Sequence, residues 1–125
     1  MRALHLTADL YRCRCDSGWL TEAERLGSWC VQAVRAVGWP VVGQWFHGFA
    51  PTDRAPGGVM VTVLTADAQL CLRTWLAQQG VTIDVQASKA STDRAAQARA
   101  LMDALVARLA PEWTEQRSLD RGDDE

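Results

Sequence analysis

The sequence predicts an α+β two-layer sandwich, an antiparallel sheet with two helices packed on one face. Three observations predict it. Residues 3–11 alternate apolar and polar, residues 92–109 repeat apolar side chains at helical spacing, and short β-branched runs bounded by Gly and Pro lie between them. The resulting order is strand, helix, two or three strands, a short strand and a second helix, an order that places helices on one side of a sheet.

Each element has a local reason. In the first strand Leu4, Leu6, Ala8 and Leu10 point one way and His5, Thr7 and Asp9 the other. Thr21 and Glu24 make the Thr-x-x-Glu pattern of a capping box. The helix it opens carries Leu26, Trp29, Cys30, Ala33, Val34 and Val37 on one stripe and ends at Gly38, a natural left-handed terminus. Pro40 blocks continuation. Residues 41–49 and 59–64 are rich in β-branched and aromatic residues and read as strands. Pro56, Gly57 and Gly58 make a turn between them, so the two strands form an antiparallel hairpin.

Residues 67–79 fit two descriptions. Leu70, Leu72, Thr74 and Leu76 alternate as in a strand, whereas Asp67 and Gly80 would bracket a helix. Residues 81–85 read as a short strand. The last helix begins with Ser91, Thr92 and Asp93, buries Ala98, Leu101, Met102, Leu105 and Leu109, and is stopped by Pro111. A folded domain over 1–112 is expected, followed by a charged, disordered tail over 113–125 whose Arg121-Gly122-Asp123 triplet is incidental.

Composition narrows the function. A chain of 125 residues suits one domain, and a net charge of -2 with no basic run argues against nucleic-acid binding. The longest uncharged stretch, 36–52, contains Gly38, Pro40, Gly43, Gln44 and Gly48 and is no membrane span. The first ten residues lack the apolar core of a signal peptide, so a cytoplasmic location is expected. Cys13, Cys15, Cys30 and Cys71 could make two disulfides in a secreted chain, but are expected as reduced thiols. Cys13 and Cys15 with His5 or His47 could bind zinc, although C-x-C is not the usual spacing, and no metal is expected. No phosphate loop, nucleophile elbow or dinucleotide fingerprint is present. His5 and His47 read as strand-face residues, and the tryptophans as core or interface.

Several segments taken together resemble the bacterial S-adenosylmethionine decarboxylases, over roughly residues 3–109. His5 to Cys13 (HLTADLYRC) is similar to that family's first strand, and Phe46 to Pro51 (FHGFAP) to its F-H-x-F-x-P motif. Gly58, the Thr74-Trp75 pair and Asp84 follow at the family's spacing. The resemblance implies a two-layer sandwich and a pyruvoyl cofactor built from the chain itself. In the family a serine hydroxyl attacks the preceding carbonyl, the resulting ester eliminates, and the new chain end becomes the electron sink for decarboxylation.

The positions that would carry this chemistry depart from the family pattern. The serine matches Ala68, whose methyl cannot act as a nucleophile. The histidine that assists processing matches Arg73, which is permanently cationic. The acidic cysteine matches Ser88, a far weaker acid, a processing serine matches Met60, and the Pro-Glu after the Thr-Trp pair is Leu76-Ala77. The resemblance therefore implies a pseudoenzyme without a pyruvoyl group, a regulatory or binding subunit tied to polyamine (spermidine) metabolism. It would pair with itself or with an active relative. Arg73, Trp75 and His47 are the candidate ligand-binding residues, for a small anion or an S-adenosylmethionine-like molecule. The alternatives are an active decarboxylase using a non-standard site, with Cys71 or Thr65 as the cleaving residue, and an unrelated enzyme built from His47, Cys13 and Asp9.

Overall fold

The computed structural model describes residues 2–89 and 92–122. Six strands, β1 (Arg2–Cys13), β2 (Gly43–Gly48), β3 (Val59–Leu64), β4 (Ala68–Trp75), β5 (Gly80–Ser88) and β6 (Pro111–Gly122), form one sheet in the order β2-β3-β4-β5-β1-β6. Every neighbouring pair is antiparallel. Three helices, α1 (Gly18–Thr21), α2 (Ala23–Ala36) and α3 (Thr92–Leu109), cover one face. Helix α2 packs on β2 and β3 and α3 on β1 and β5, which gives the predicted α+β sandwich.

The core is the inner layer of that sandwich. Leu4, Leu6, Ala8 and Leu10 of β1, Val59, Val61 and Val63 of β3, Leu70 and Leu72 of β4, and Val81, Ile83 and Val85 of β5 are all buried. Period-2 alternation sends their neighbours to the opposite face, which no helix covers. From α3, Ala98, Leu101, Met102, Leu105 and Leu109 complete the core as expected. Gly38 ends α2 in the left-handed region at φ 94, its N–H donating to the Arg35 carbonyl oxygen. Gln97 of α3 then ties down the turn. Its side-chain N–H donates to the Val37 carbonyl oxygen at 2.9 Å, and it accepts from the Trp39 indole at 2.9 Å.

Several boundaries differ from expectation. Helix α2 has Glu22 as its N-cap without a side-chain cap bond, because Thr21 ends the separate turn α1 and its hydroxyl donates back to the Ser17 carbonyl oxygen at 3.1 Å. Residues 67–79 resolve as strand β4 followed by a 3-10 turn, Leu76–Gln78, closed by Gln79 in the left-handed region at φ 50. The strand description wins because β4 lies between β3 and β5 and pairs with both. Ser91 falls outside the described residues.

The largest correction is at the C-terminus. The expected disordered tail is strand β6 as far as Gly122, and Pro111 begins it. Pro is tolerated at the first residue of a strand, where no ladder donor is required. β6 runs along the whole free edge of β1, from Cys13↔Pro111 to Arg2↔Gly122. Tyr11 and Trp113 stack across the pair at 4.1 Å and 13°, and Arg117 meets Asp9 at 3.6 Å. Near its end, Asp120 takes a 2.9 Å hydrogen bond from the Lys89 ammonium that holds its carboxyl below the usual range. Residues 123–125, including Asp123, lie outside the described residues.

Candidate functional site

Strand β4 carries most of the residues at issue, and its alternation divides them. Ala68 faces inward, 8% exposed, opposite Ala87 of β5. Gln69, Cys71, Arg73 and Trp75 face outward on the open side of the sheet. Ala68 and Arg73 are separated by about 17 Å at the rise of an extended strand. Ser88 lies at the Ala68 end, where its backbone N–H donates to the Asp67 carbonyl oxygen at 2.9 Å. Met60 lies at the Arg73 end, directly opposite Arg73 in the register. Ala77 sits in the 3-10 turn beyond Trp75. The sequence-predicted residues thus form two groups at opposite ends of β4.

The Ala68 end is a tight turn. Thr65 N–H and the Thr65 hydroxyl both donate to the Ala68 carbonyl oxygen, at 2.9 and 3.2 Å, and Asp67 forms an ion pair with Arg94 of α3. A shallow cleft of about 450 Å³ opens there, lined by Ala68, Gln69, Gln86 and Ser88 among others. Cys71 is in the middle of the ladder, opposite Thr62 and Asp84, with its sulfur 4.0 Å from the Thr62 hydroxyl. Neither Thr65 nor Cys71 is in the left-handed region; the non-glycine residues found there among those described are Arg12, Gln79 and Ala110.

The other end gathers Arg73, Trp75 and His47 around a residue the sequence reading passed over, Phe49. The Arg73 guanidinium carbon is 4.3 Å from the Phe49 ring and 4.5 Å from the Trp75 ring. His47 stands edge-on to Phe49 at 4.7 Å and to Trp45 at 5.9 Å. The signal for Phe49 was present: in Phe-His-Gly-Phe, residues 47 and 49 fall two apart and share a face. Trp75 is oriented by its indole N–H, which donates to the Thr82 hydroxyl at 3.0 Å.

Thr74, between Arg73 and Trp75, points inward and is 2% exposed. Its hydroxyl donates to the Leu20 carbonyl oxygen and accepts from the Val59 N–H, both at 2.8 Å. A single hydroxyl therefore joins α1, β3 and β4 beneath the Arg73 cluster. His5 has a partner that its sequence surroundings do not reveal. Its Nε2–H donates to Asp84 Oδ1 at 2.9 Å across β1 and β5.

The remaining candidates are not assembled. His47 is on β2 and Cys13 and Asp9 on β1, with β3, β4 and β5 between those strands. Cys13 is turned inward by Arg12, whose left-handed φ of 50 resets the alternation, so it faces away from His5. Among the described residues, no three of His, Cys, Asp or Glu are placed to hold a metal ion. Burial pushes the Cys13 thiol up to about 11, with Cys15 adding to the effect, and burial alone pushes Cys30 up to about 12. These thiols are packing groups, not nucleophiles. Among the described residues no helix is long and apolar enough to cross a membrane.

Sheet order, helical layer and the position of these groups define a class of small α+β domain, and comparison with known proteins identifies it. The sequence model for S-adenosylmethionine decarboxylase matches residues 4–122, and the chain belongs to that family. Its structure is similar to the crystal structure of the adenosylmethionine decarboxylase from Aquifex aeolicus VF5. The two align with a TM-score of 0.81 and 24% sequence identity over 98% of this chain and 92% of the other. No curated protein matches. The family match reaches Gly122 and so includes β6, which the resemblance seen in the sequence had left out.

Proposed function

We propose that this chain is a non-self-cleaving, catalytically inactive member of the S-adenosylmethionine decarboxylase family, acting as a regulatory or binding subunit linked to polyamine metabolism. The observation that carries this reading is Ala68. Formation of a pyruvoyl group requires a hydroxyl at the scission point, and the side chain there is a methyl packed inward opposite Ala87. The Thr65 hydroxyl, close by in the turn, spends its proton on the Ala68 carbonyl oxygen. The residues present do not fit the group. Cys71 is held in a ladder on both sides, which argues against scission there.

Partnering is the second part of the proposal. The open face exposes large apolar side chains at both of its edges, Trp45 at 70% on β2 and Trp113 at 50% and Leu119 at 56% on β6. A second copy of the chain or an active relative would cover it.

Intact mass spectrometry tests the first part. A single species of 13.8 kDa that resists hydroxylamine and borohydride is the expected result. Two fragments divided before residue 68, or near Cys71, would return the chain to the active decarboxylases. Co-purification of an active decarboxylase from the host distinguishes a mixed pair from a pair of identical chains.

A further inference from the structure

A strand at the border of a sheet turns every second N–H and C=O outward, where another chain can take them up. This sheet has two such borders, β2 and β6. β2 is six residues long with glycine at both ends. β6 is twelve residues long, and its register against β1 is unbroken from Arg2↔Gly122 to Tyr11↔Trp113. Native edges are commonly blunted by Lys, by an internal Pro, by a bulge or by shortness. β6 has none of these, since Pro111 is its first residue. Among the described residues no backbone group bonds to its outer side.

We propose that β6 pairs antiparallel with β6 of a second copy of this chain, about a two-fold axis at Gln116, joining the two sheets edge to edge. The order of residues along the strand carries it. A two-fold axis normal to the sheet sets each side chain opposite one on the same face, so the register has to centre on a single residue. Centred on Gln116, Trp113 meets the partner's Leu119, Thr114 the partner's Ser118 and Glu115 the partner's Arg117. Each of these pairs occurs twice, and Gln116 faces its own copy. Apolar, hydroxyl and opposite-charge pairs of this kind are favourable, and two amides can bond to each other. The neighbouring registers fail. A centre on Glu115 or on Arg117 sets like charges together, a centre on Thr114 sets Trp113 against Glu115, and a centre on Ser118 sets Arg117 against Leu119.

The structure prepares the same surface. Trp113 and Leu119 are more than a third exposed in one chain, and the partner's strand covers both. Glu115 and Arg117 already meet at 3.1 Å, so across the axis each carboxylate has an Arg on two sides and the four charges alternate. The next pair outward, Glu112 with the partner's Asp120, joins like charges, but each has cations of its own chain. Arg12 and Arg14 lie 3.8 Å from Glu112, and Lys89 lies 2.9 Å from Asp120. Helix α3 packs on β1 and β5, which leaves Gln116 and Ser118 exposed on the helix side of β6. Edge pairing is thus separate from a partner laid on the open face, and it does not depend on whether the chain cleaves itself.

The test is sedimentation velocity of the full-length protein from about 5 to about 500 µM, where a reversible equilibrium of monomer and dimer is expected. Glu115→Arg and Arg117→Glu each set like charges across the axis, and each alone should weaken self-association by at least about tenfold. Mixed together, the two variants bring opposite charges face to face and should recover a dimer. Gln116→Cys under mild oxidation is expected to give a covalent dimer and Ser118→Cys is not, with the native chain as control for its own four cysteines. Gln116 points to the helix side, so a pair formed through the open face cannot lock there. A chain that stays monomeric at the highest concentration overturns the proposal. So does a dimer that Gln116→Cys does not lock, a lock as ready at residue 118 as at 116, or charge variants that associate as well alone as mixed. Should a variant fail to fold, amide exchange on the native chain decides. Protection of residues 111–122 has to rise with protein concentration while that of 43–48 does not.

Discussion

Replacing Thr74 by Val isolates the contribution of one hydroxyl. The two side chains have nearly the same shape, so the cavity term is small. What is lost is the pair of 2.8 Å bonds, from Val59 N–H and to the Leu20 carbonyl oxygen, at a position 2% exposed. Each backbone group left unsatisfied in a dry core costs about 1–3 kcal/mol, so the pair together costs about 3 kcal/mol. For a chain of this length about 3–5 °C of melting temperature accompanies each kcal/mol, and a fall of about 10 °C follows. Thr74→Ser is the control. It keeps the hydroxyl and loses one methyl, at about 1 kcal/mol. Thermal and urea unfolding followed by circular dichroism measure both. If Thr74→Val proves as stable as Thr74→Ser, the hydroxyl is not what joins α1 and β3 to β4, and packing alone holds that corner.

Three further outcomes are expected. Ala68→Ser is expected to remain a single chain by intact mass, because Arg73, which matches the family's processing histidine, is permanently cationic and about 17 Å away along β4, and it loses about 1–2 kcal/mol from burying a hydroxyl; scission before residue 68 would show that the methyl was the only obstacle. At pH 8 the Cys13 thiol, at about 11, is about one part in a thousand thiolate, so Cys13 and Cys30 should label after Cys71 with a thiol reagent mapped by mass; the opposite order would mean that the core opens readily. Trp113→Ala should cost about 1–2 kcal/mol through loss of its stack on Tyr11 and speed hydrogen exchange along β1 and β6, whereas an unchanged exchange pattern would mean that β6 is held by its ladder alone.

The readable parts of this fold were those in which one physical rule acts alone. The alternation of Leu4, Leu6, Ala8 and Leu10 and the helical stripe from Ala98 to Leu109 are set by burial, and Gly38 by backbone sterics. Where two rules compete, local pattern was not enough. Asp67 and Gly80 offered plausible helix ends, but the pairing of β4 with two neighbours is a tertiary fact that no local window contains. In the tail, charge and alternation point different ways, and alternation prevails. Trp113, Glu115, Arg117 and Leu119 share one face of β6, and the long free edge of β1 needed a partner. The His5–Asp84 bond links residues on strands far apart in sequence and had no local signal at all. At the candidate site the sequence named Arg73, Trp75 and His47, and the structure supplied Phe49 as the ring that unites them.

The arrangement of β4 bears on how independently its two ends can vary. Ala68 and Arg73 occupy opposite ends and opposite faces of a strand paired along both sides. A fully bonded central strand is stiff, so a change at one end is poorly transmitted to the other, and substitutions about 17 Å apart with no shared partner should act additively. A change of side chain at Ala68 therefore places no constraint on the Arg73 end, whose surroundings come from the loops after β2 and β4 and not from the Thr65–Ala68 turn. The converse also holds: a change at Arg73 within one chain does not reach Ala68, and any coupling between the two ends has to pass through a partner laid across the open face. Combining Ala68→Ser with Arg73→Gln in one chain distinguishes the cases. Additive losses of stability in the isolated protein mean independent ends, and a departure from additivity that emerges only at concentrations where the chains associate means that the partner joins them.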